Sequence, residues 1–120
     1  MNKGRPPIKI IGAGSPILDV LIRVDDAFID EKAGGGKGGS RMVSSAEFDD
    51  ILSAAGSDIK TSPGGSSANT IFGLTRLGIE TGFLEAVGDD TNGSLYRARY
   101  EKMGGDTSKI RIKKDRKSVV

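Results

Sequence analysis

The pattern of apolar residues in the first 25 positions predicts two short strands. Runs rich in β-branched residues occupy residues 8–11 and 20–24. A tight loop containing Gly12, Gly14 and Pro16 follows the first run. Parallel neighbours need a connection of a dozen or more residues, so we expect that these two strands do not form a simple parallel pair.

Two later segments carry apolar residues at helical spacing and predict helices at about 45–55 and 66–77. A serine at the start of each can cap it, and Gly78 would end the second. Glycine-rich residues 33–40 and residues 61–65 predict loops. The apolar face of the second helix is expected at steps of three residues: Ile71, Leu74 and Leu77.

From Gly65 onward, predicted helices and strands alternate. An apolar run at 81–87 predicts a central strand, a turn at 88–93 leads into another helix, and alternation at 109–113 predicts a strand with one solvated face. This order is typical of an α/β layer fold. Residues 19–62 interrupt the alternation, and we interpret them as an inserted group of short strands and loops.

Composition narrows the available chemistry. The chain of 120 residues is 36% hydrophobic and 28% charged, as expected for one folded domain. It contains no cysteine and no histidine, which excludes thiol nucleophiles, imidazole bases and most transition-metal sites. Any catalysis must therefore use carboxylates, Lys or Arg, hydroxyls and backbone amides.

Charge and hydropathy also argue against two classes of partner. A net charge of +2 with 5% aromatic residues gives little basis for binding nucleic acid. No apolar run approaches the roughly 18 residues that predict a membrane span, and the N-terminus does not resemble a secretory signal. We expect a cytoplasmic protein.

Two glycine motifs resemble nucleotide-binding loops but lack required residues. Gly12-Ala13-Gly14 follows a strand, yet the dinucleotide fingerprint needs a third glycine where Ile17 stands. Residues 34–40 resemble a P-loop, but Gly38 follows Lys37 where Ser or Thr would bind magnesium. We interpret the first as a tight turn and the second as a flexible loop.

The glycine motif at 64–69, Gly-Gly-Ser-Ser-Ala-Asn, has a different context. Two glycines allow a ligand to approach the backbone closely, and the predicted helix begins immediately afterwards. The unpaired N–H groups of that helix would face the ligand, and Asn69 in the first turn offers a donor and an acceptor. These residues alone leave open a binding site or a loop with a serine cap.

Three segments together resemble the ribokinase-like (PfkB-type) carbohydrate kinases. Residues 64–71, with Gly78 and Gly88, are similar to the N-terminal signature of the family, a glycine pair followed by an asparagine. Residues 14–19, Gly-Ser-Pro-Ile-Leu-Asp, resemble the end of its first strand. Residues 88–93 resemble its Gly-x-Asp-x-x-Gly turn.

The resemblance implies an α/β fold, a three-layer αβα sandwich with a small β lid, of which residues 1–120 form the N-terminal part. The lid would correspond to the insertion at about 19–62. Family members transfer the γ-phosphoryl group of ATP to a hydroxymethyl group of a sugar or nucleoside, using Mg²⁺. The apolar residues before Asp19 look more like those of adenosine-kinase relatives than like those of ribokinase.

The resemblance also assigns the substrate-binding residues. Asp19 would accept hydrogen bonds from two adjacent substrate hydroxyls, the Gly65 N–H and the Asn69 side chain would hold neighbouring hydroxyls, and Gly64 would give clearance. The implied cofactors are ATP and Mg²⁺. The family's catalytic base and anion site belong to a Gly-Ala-Gly-Asp motif that this sequence lacks, so we expect weak substrate binding without turnover and no metal ligands in this chain.

Other interpretations stay open. A Rossmann-like nucleotide-binding module would use Gly12 and Gly14, and a non-catalytic remnant or interaction protein would use the lid-like strands. A homodimer formed through the lid is a further expectation. Asp89 or Asp90 could act as a base or magnesium ligand, but we expect them to initiate the turn and cap the following helix.

Overall fold

A computed structural model describes residues 9–34, 36–115 and 117. A π-helical turn, Ile29–Ala33, directly continues the short helix Asp26–Phe28. The elements in chain order are β1 (Lys9–Ala13), β2 (Ile17–Ile22), α1 (Asp26–Phe28), α2 (Ser45–Ala55), β3 (Ile59–Gly64), α3 (Ser66–Arg76), β4 (Glu80–Gly88), α4 (Thr91–Lys102) and β5 (Ile110–Lys113). Among the described helices, none is both long and apolar enough to cross a membrane.

Strand β4 is the centre of a three-stranded parallel sheet in the order β1-β4-β5. Ile11 is aligned with Gly82 on one side of β4, and Ile110 is aligned with Glu85 on the other. Strands β2 and β3 form a separate two-stranded sheet. The predicted central position of β4 and the separation of β1 from β2 are confirmed.

The described residues divide into two compact units. The first contains the residues up to Asp19 and those from Ser62 onward, and the second is Val20–Thr61. The three-stranded sheet, α3 and α4 belong to the first unit. Helix α2 belongs to the second unit. A serine is predicted to cap this helix, and its N-terminal cap is Ser44. Ser44 Oγ accepts from the Glu47 N–H at 3.2 Å, and Glu47 Oε2 accepts from the Ser44 N–H at 2.8 Å.

Helix α3 packs on the sheet through residues spaced as a single helical face. The buried residues of α3 are Ala68, Ile71, Phe72 and Thr75. The prediction that Leu77 extends this face is wrong, because Leu77 is 79% exposed. The buried residues continue to Thr75, and Leu77 comes two positions later, which places its side chain about 200° around the helix axis from this face.

Buried hydroxyl groups join α3, β4 and α4 inside the core. The Thr75 hydroxyl donates to the Ile71 carbonyl at 2.8 Å and is hydrogen-bonded to the Thr81 hydroxyl. Thr81 in turn lies 3.0 Å from the Tyr100 hydroxyl. The Tyr100 ring also stacks on Phe72 at 5.1 Å between centroids. Polar contacts therefore fix the two helices on the same face of the central strand.

Three predicted element boundaries are wrong. Residues 61–65 were predicted as a loop, but β3 runs to Gly64 and includes Pro63. Both strands of a two-stranded sheet are edge strands. Proline is tolerated in an edge strand because the N–H groups on its outer side need no partner in the sheet. The strand predicted at 20–24 lies at Ile17–Ile22, and a helical segment at 26–33 replaces expected loop structure at its end.

Candidate functional site

The Asp19 carboxylate lies directly over the backbone of Gly64. Asp19 is an exposed residue of β2, and Gly64 is the last residue of β3. A Cβ built on Gly64 would lie 2.7 Å from Asp19 Oδ1 and closer still to Oδ2 and Cγ. Any side chain at position 64 would therefore displace the carboxylate from its present position.

Gly65 is the N-terminal cap of α3 and adopts a backbone conformation that favours glycine. Its φ is +95°, in the left-handed region, and no side chain caps the helix. The alternative of a serine cap is therefore wrong: Ser66 is already the first helical residue. Without a capping side chain, the first N–H groups of α3 keep their hydrogen-bonding capacity for a ligand.

The loop after β1 packs against the start of α3. A Cβ on Gly65 would lie 3.1 Å from the Ser15 carbonyl oxygen, and a Cβ on Gly14 would lie 2.5 Å from Ser67 Oγ. Sequence reasoning missed Ser15 and Ser67 as neighbours of the site. The signal was available in part, because small residues at 14 and 15 indicate a close approach of two backbones.

Gly12 and Gly14 lie where β1 and the loop after it pack closely on α3. A Cβ on Gly12 would come within 2.9 Å of the Ile71 Cδ1 atom of α3. No helix follows β1, because β2 begins at Ile17. The dinucleotide fingerprint requires a helix at this point, with its N-terminus at the pyrophosphate. The geometry does not favour the Rossmann-like alternative.

Asn69 lies one turn into α3, above the carbonyl of the cap residue. Its N–H donates to the Gly65 carbonyl at 2.9 Å. Asn69 is exposed, and its side chain makes no hydrogen bond to any described residue. Both the amide oxygen and the amide nitrogen are therefore available to a ligand.

The structure thus places the four predicted site residues in one region of the first unit. Asp19 contacts Gly64, Gly65 follows in the chain, and Asn69 is hydrogen-bonded to Gly65. The region offers a carboxylate acceptor, backbone N–H donors and a primary amide. This combination can bind a molecule with several neighbouring hydroxyl groups, since carboxylates accept and amides both donate and accept.

Asp90 has the structural role that the sequence predicted. It is the N-terminal cap of α4, and its Oδ1 accepts from the Gly93 N–H at 2.8 Å. The Asp89 N–H donates to the Lys113 carbonyl at 3.2 Å and so joins the turn to β5. In the part of the chain that the structure describes, no three acidic side chains are grouped closely enough to hold a metal ion.

Lys37, in the glycine-rich loop, forms an ion pair with Asp26 at 2.8 Å. Both side chains are about three-quarters exposed. Among the described residues of this loop, Lys37 therefore pairs with a neighbouring carboxylate, as expected for a solvated loop and not for a phosphate-binding P-loop.

Comparison with known proteins gives a family match over residues 40–120, to the pfkB family carbohydrate kinases. The chain is 38% identical over 52 residues to 5-dehydro-2-deoxygluconokinase from Bacillus licheniformis. That match covers 43% of this chain and 16% of the relative. It is 40% identical over 58 residues to aminoimidazole riboside kinase from Salmonella typhimurium, covering 48% of this chain and 18% of that protein.

Solved structures share the fold. The adenosine kinase from Schistosoma mansoni, in complex with 2-fluoroadenosine, superposes with a TM-score of 0.71 at 17% identity. It matches 92% of this chain, which spans 33% of that kinase. The Salmonella enterica aminoimidazole riboside kinase, with aminoimidazole riboside and an ATP analogue, gives a TM-score of 0.61 at 22% identity, over 92% of this chain and 27% of the kinase.

These matches confirm the predicted fold class, an α/β architecture with a parallel sheet shared with ribokinase-like kinases. The chain matches only 16–18% of the length of the curated relatives. The family match includes α3 with its glycine pair, β4 and the Gly-Asp-Asp turn, and it extends over more than half of the sequence. The chain belongs to the pfkB family of carbohydrate kinases.

Proposed function

We propose that this chain is the substrate-binding, N-terminal part of a kinase that transfers a phosphoryl group from ATP to a hydroxymethyl group of a sugar or nucleoside. One observation carries the proposal: the Asp19 carboxylate lies against Gly64, immediately before the uncapped start of α3. Curated relatives named as kinases of a sugar derivative and of a riboside support this class of substrate.

Each site residue has a definite role in this proposal. Asp19 accepts hydrogen bonds from two adjacent hydroxyls, each bond to the charged group contributing about 1.5–3 kcal/mol. The Gly65 N–H donates to a hydroxyl oxygen, and the Asn69 side chain binds a neighbouring hydroxyl. Gly64 leaves room for the carboxylate and the substrate. Together these groups orient the polyol and fix where its hydroxymethyl group points.

The described residues offer no cluster of acidic side chains that fits Mg²⁺, and the sequence lacks the Gly-Ala-Gly-Asp segment expected to supply the base. We therefore assign to this chain only binding and orientation of the acceptor. ATP is the phosphoryl donor implied by the family, as in the riboside kinase solved with an ATP analogue. Its binding residues, like those for magnesium, would belong to other parts of a kinase domain.

An adenosine-like substrate is the more specific proposal. Ile17 lies beside Gly65, its Cδ1 atom 3.8 Å from where a Cβ would be. This side chain adds an apolar surface next to the polyol-binding groups, which suits a nucleobase better than a second polar sugar.

Residues Val20–Thr61 would serve as the lid, and a homodimer would form through them.

Calorimetric titration of the chain with adenosine, ribose and NAD tests the proposal. We expect adenosine or ribose to bind and NAD not to bind. Asp19→Asn should weaken binding at least tenfold, because loss of one charge-assisted bond exceeds the 1.4 kcal/mol that corresponds to tenfold. Glu101→Gln, at an exposed glutamate of α4 outside the proposed lid, is the control and should bind as the unmodified chain does.

Equal affinities of the two variants for the polyol would contradict the proposed role of Asp19. Binding of NAD in place of the polyols would favour the nucleotide-binding alternative.

A further inference from the structure

A glutamate lies in the core where an apolar residue is expected. Glu85 is only 7% exposed and lies on the helix-facing side of the central strand, between the buried residues Phe83 and Val87. Its Oε2 atom accepts from the Tyr96 hydroxyl of α4 at 3.2 Å. Its Oε1 atom is buried and has no hydrogen-bond partner among the described residues.

The groups around Glu85 do not compensate a negative charge. Ile110 of β5 is its aligned neighbour, and Phe72 of α3 packs on Tyr96 with 5.8 Å between ring centroids. Helix α4 contributes the titratable Tyr96 and Tyr100, whose pKa values are both raised, chiefly by burial. Both tyrosines therefore stay neutral at ordinary pH.

No cation is paired with the carboxyl group within the described part of the chain. Arg97 follows Tyr96 in α4, but it forms no ion pair with Glu85, and its Nε atom is also buried without a hydrogen-bond partner. An ionised carboxylate in such surroundings is costly, and a buried carboxyl without a cation normally takes up a proton. Burial raises the pKa of Glu85 to about 8, with the Tyr96 hydroxyl acting in the opposite direction.

We propose that Glu85 is a pH sensor built into the contact between β4 and α4: the contact is tightest while the carboxyl group carries a proton and weakens when the proton is lost. The proposal concerns the fold and does not depend on the identity of the substrate. It predicts a chain that is more stable in mildly acidic than in mildly alkaline solution.

The direction follows from proton linkage. In the unfolded chain, Glu85 ionises near its ordinary pKa of 4.5, whereas the folded chain retains the proton up to about pH 8. The folded state therefore binds more protons between these values, and stability falls as pH rises through this interval. The unfolding equilibrium constant should increase by close to tenfold per pH unit in the middle of the interval.

Urea unfolding between about pH 5 and pH 9 tests the proposal on the unmodified chain, on Glu85→Gln and on Glu80→Gln. Glu80 is the matched control because it lies on the same strand with its side chain 56% exposed. We expect the unmodified chain and Glu80→Gln to lose stability as pH rises. Glu85→Gln keeps the shape of the side chain but cannot ionise, so this dependence should disappear.

The same slope in Glu85→Gln as in the unmodified chain would overturn the proposal. A second measurement needs no variant to fold: the carboxyl ¹³C resonance of Glu85, followed by NMR during a pH titration of the labelled chain. A midpoint near 8 supports the proposal, and a midpoint near 4.5 overturns it. A chain that remains equally stable at pH 9, as it would if Arg97 became an ion-pair partner, also overturns it.

Discussion

At the scale of single residues, the site depends on the absence of a side chain at position 64. The Asp19 carboxyl group occupies the space that a Cβ of residue 64 would take. Asp19 itself is exposed and forms no ion pair with a described residue. The contact that the structure shows for its carboxyl group is with the backbone of Gly64. The position of the carboxylate is therefore linked directly to a backbone atom of the neighbouring strand.

This contact gives a prediction for two glycine variants. Gly64→Ala should reduce polyol binding at least tenfold although Asp19 is intact, because the new methyl group displaces the carboxylate. Gly73→Ala is the control: it lies in the interior of α3, and a Cβ there meets no atom within 4 Å. This variant should bind normally and gain about 0.5–1 kcal/mol of stability from reduced backbone entropy.

Calorimetric affinity and urea unfolding of both variants check the pair. A Gly64→Ala variant that binds polyols like the unmodified chain would show that the carboxylate does not need its present position.

Local sequence pointed to the glycine pair and Asn69, because a glycine backbone and a primary amide suit a ligand, and the resemblance to the kinase family added Asp19; the binding role of all of them stays a prediction. Neither pointed to Glu85. Its neighbours in the sequence, Leu84 and Ala86, indicated an apolar central strand. A pattern of apolar residues does not reveal that a carboxyl group is held inside by a tyrosine eleven positions later.

At the scale of elements, the start of α3 is built by packing as well as by local signals. Gly65 caps the helix with a positive φ and without a side-chain bond, although two serines follow it. Sequence alone favoured a serine cap because serine is a preferred capping residue. A Cβ at position 65 would lie 3.1 Å from the Ser15 carbonyl oxygen, so packing against a loop about fifty residues earlier also favours glycine as the cap.

The buried hydroxyl groups of α3 give a prediction at this scale. Thr75 and Thr70 each donate to the carbonyl four residues earlier in α3, but only Thr75 is buried and bonded to Thr81. Thr75→Val should cost about 0.5–1.5 kcal/mol, the usual net value of one hydrogen bond. Thr70→Val, on the exposed side, should change stability by less than about 0.5 kcal/mol.

Urea unfolding at one pH measures both threonine variants. Equal effects of the two substitutions would mean that the hydroxyl contacts between α3 and β4 contribute nothing measurable.

Elements were predictable where local signals and packing agreed. A serine cap at the start of α2, the central strand and an aspartate cap before α4 were all expected from local sequence. Strand β3 was not, because Pro63 and the glycine pair indicated a turn, whereas pairing with β2 keeps residues 59–64 extended. The end of α3 was misplaced because the apolar Leu77 is typical of a helix face, but Leu77 follows the last helical residue and is exposed.

At the scale of the whole molecule, the described helices of the first unit cover one side of its sheet. Helices α3 and α4 cover the side of the sheet that carries Phe83. On the other side, Ile11 and Leu84 are each about half-exposed, at 49% and 52%. The three-layer arrangement implied by the resemblance requires helices on this second side as well. Solved relatives are three to four times as long as the matched region, which spans 26–33% of their chains.

Fold class was predictable at this scale, because the alternation of helix and strand after Gly65 leaves few alternatives. The sequence predicted an interruption of this alternation at residues 19–62. The described residues divide into two units at nearly the same positions, after Asp19 and before Ser62.

The central claim is that a polyol binds where the carboxylate of Asp19 meets the start of α3. Titration of the ¹⁵N-labelled chain with adenosine and ribose, followed by NMR, tests it most directly. The account predicts saturable shifts of the Gly65 amide and of both the backbone and side-chain amides of Asn69, with the amide of Gly78, at the opposite end of α3, unchanged. Saturable binding that shifts other residues and leaves Gly65 and Asn69 unaffected would contradict it.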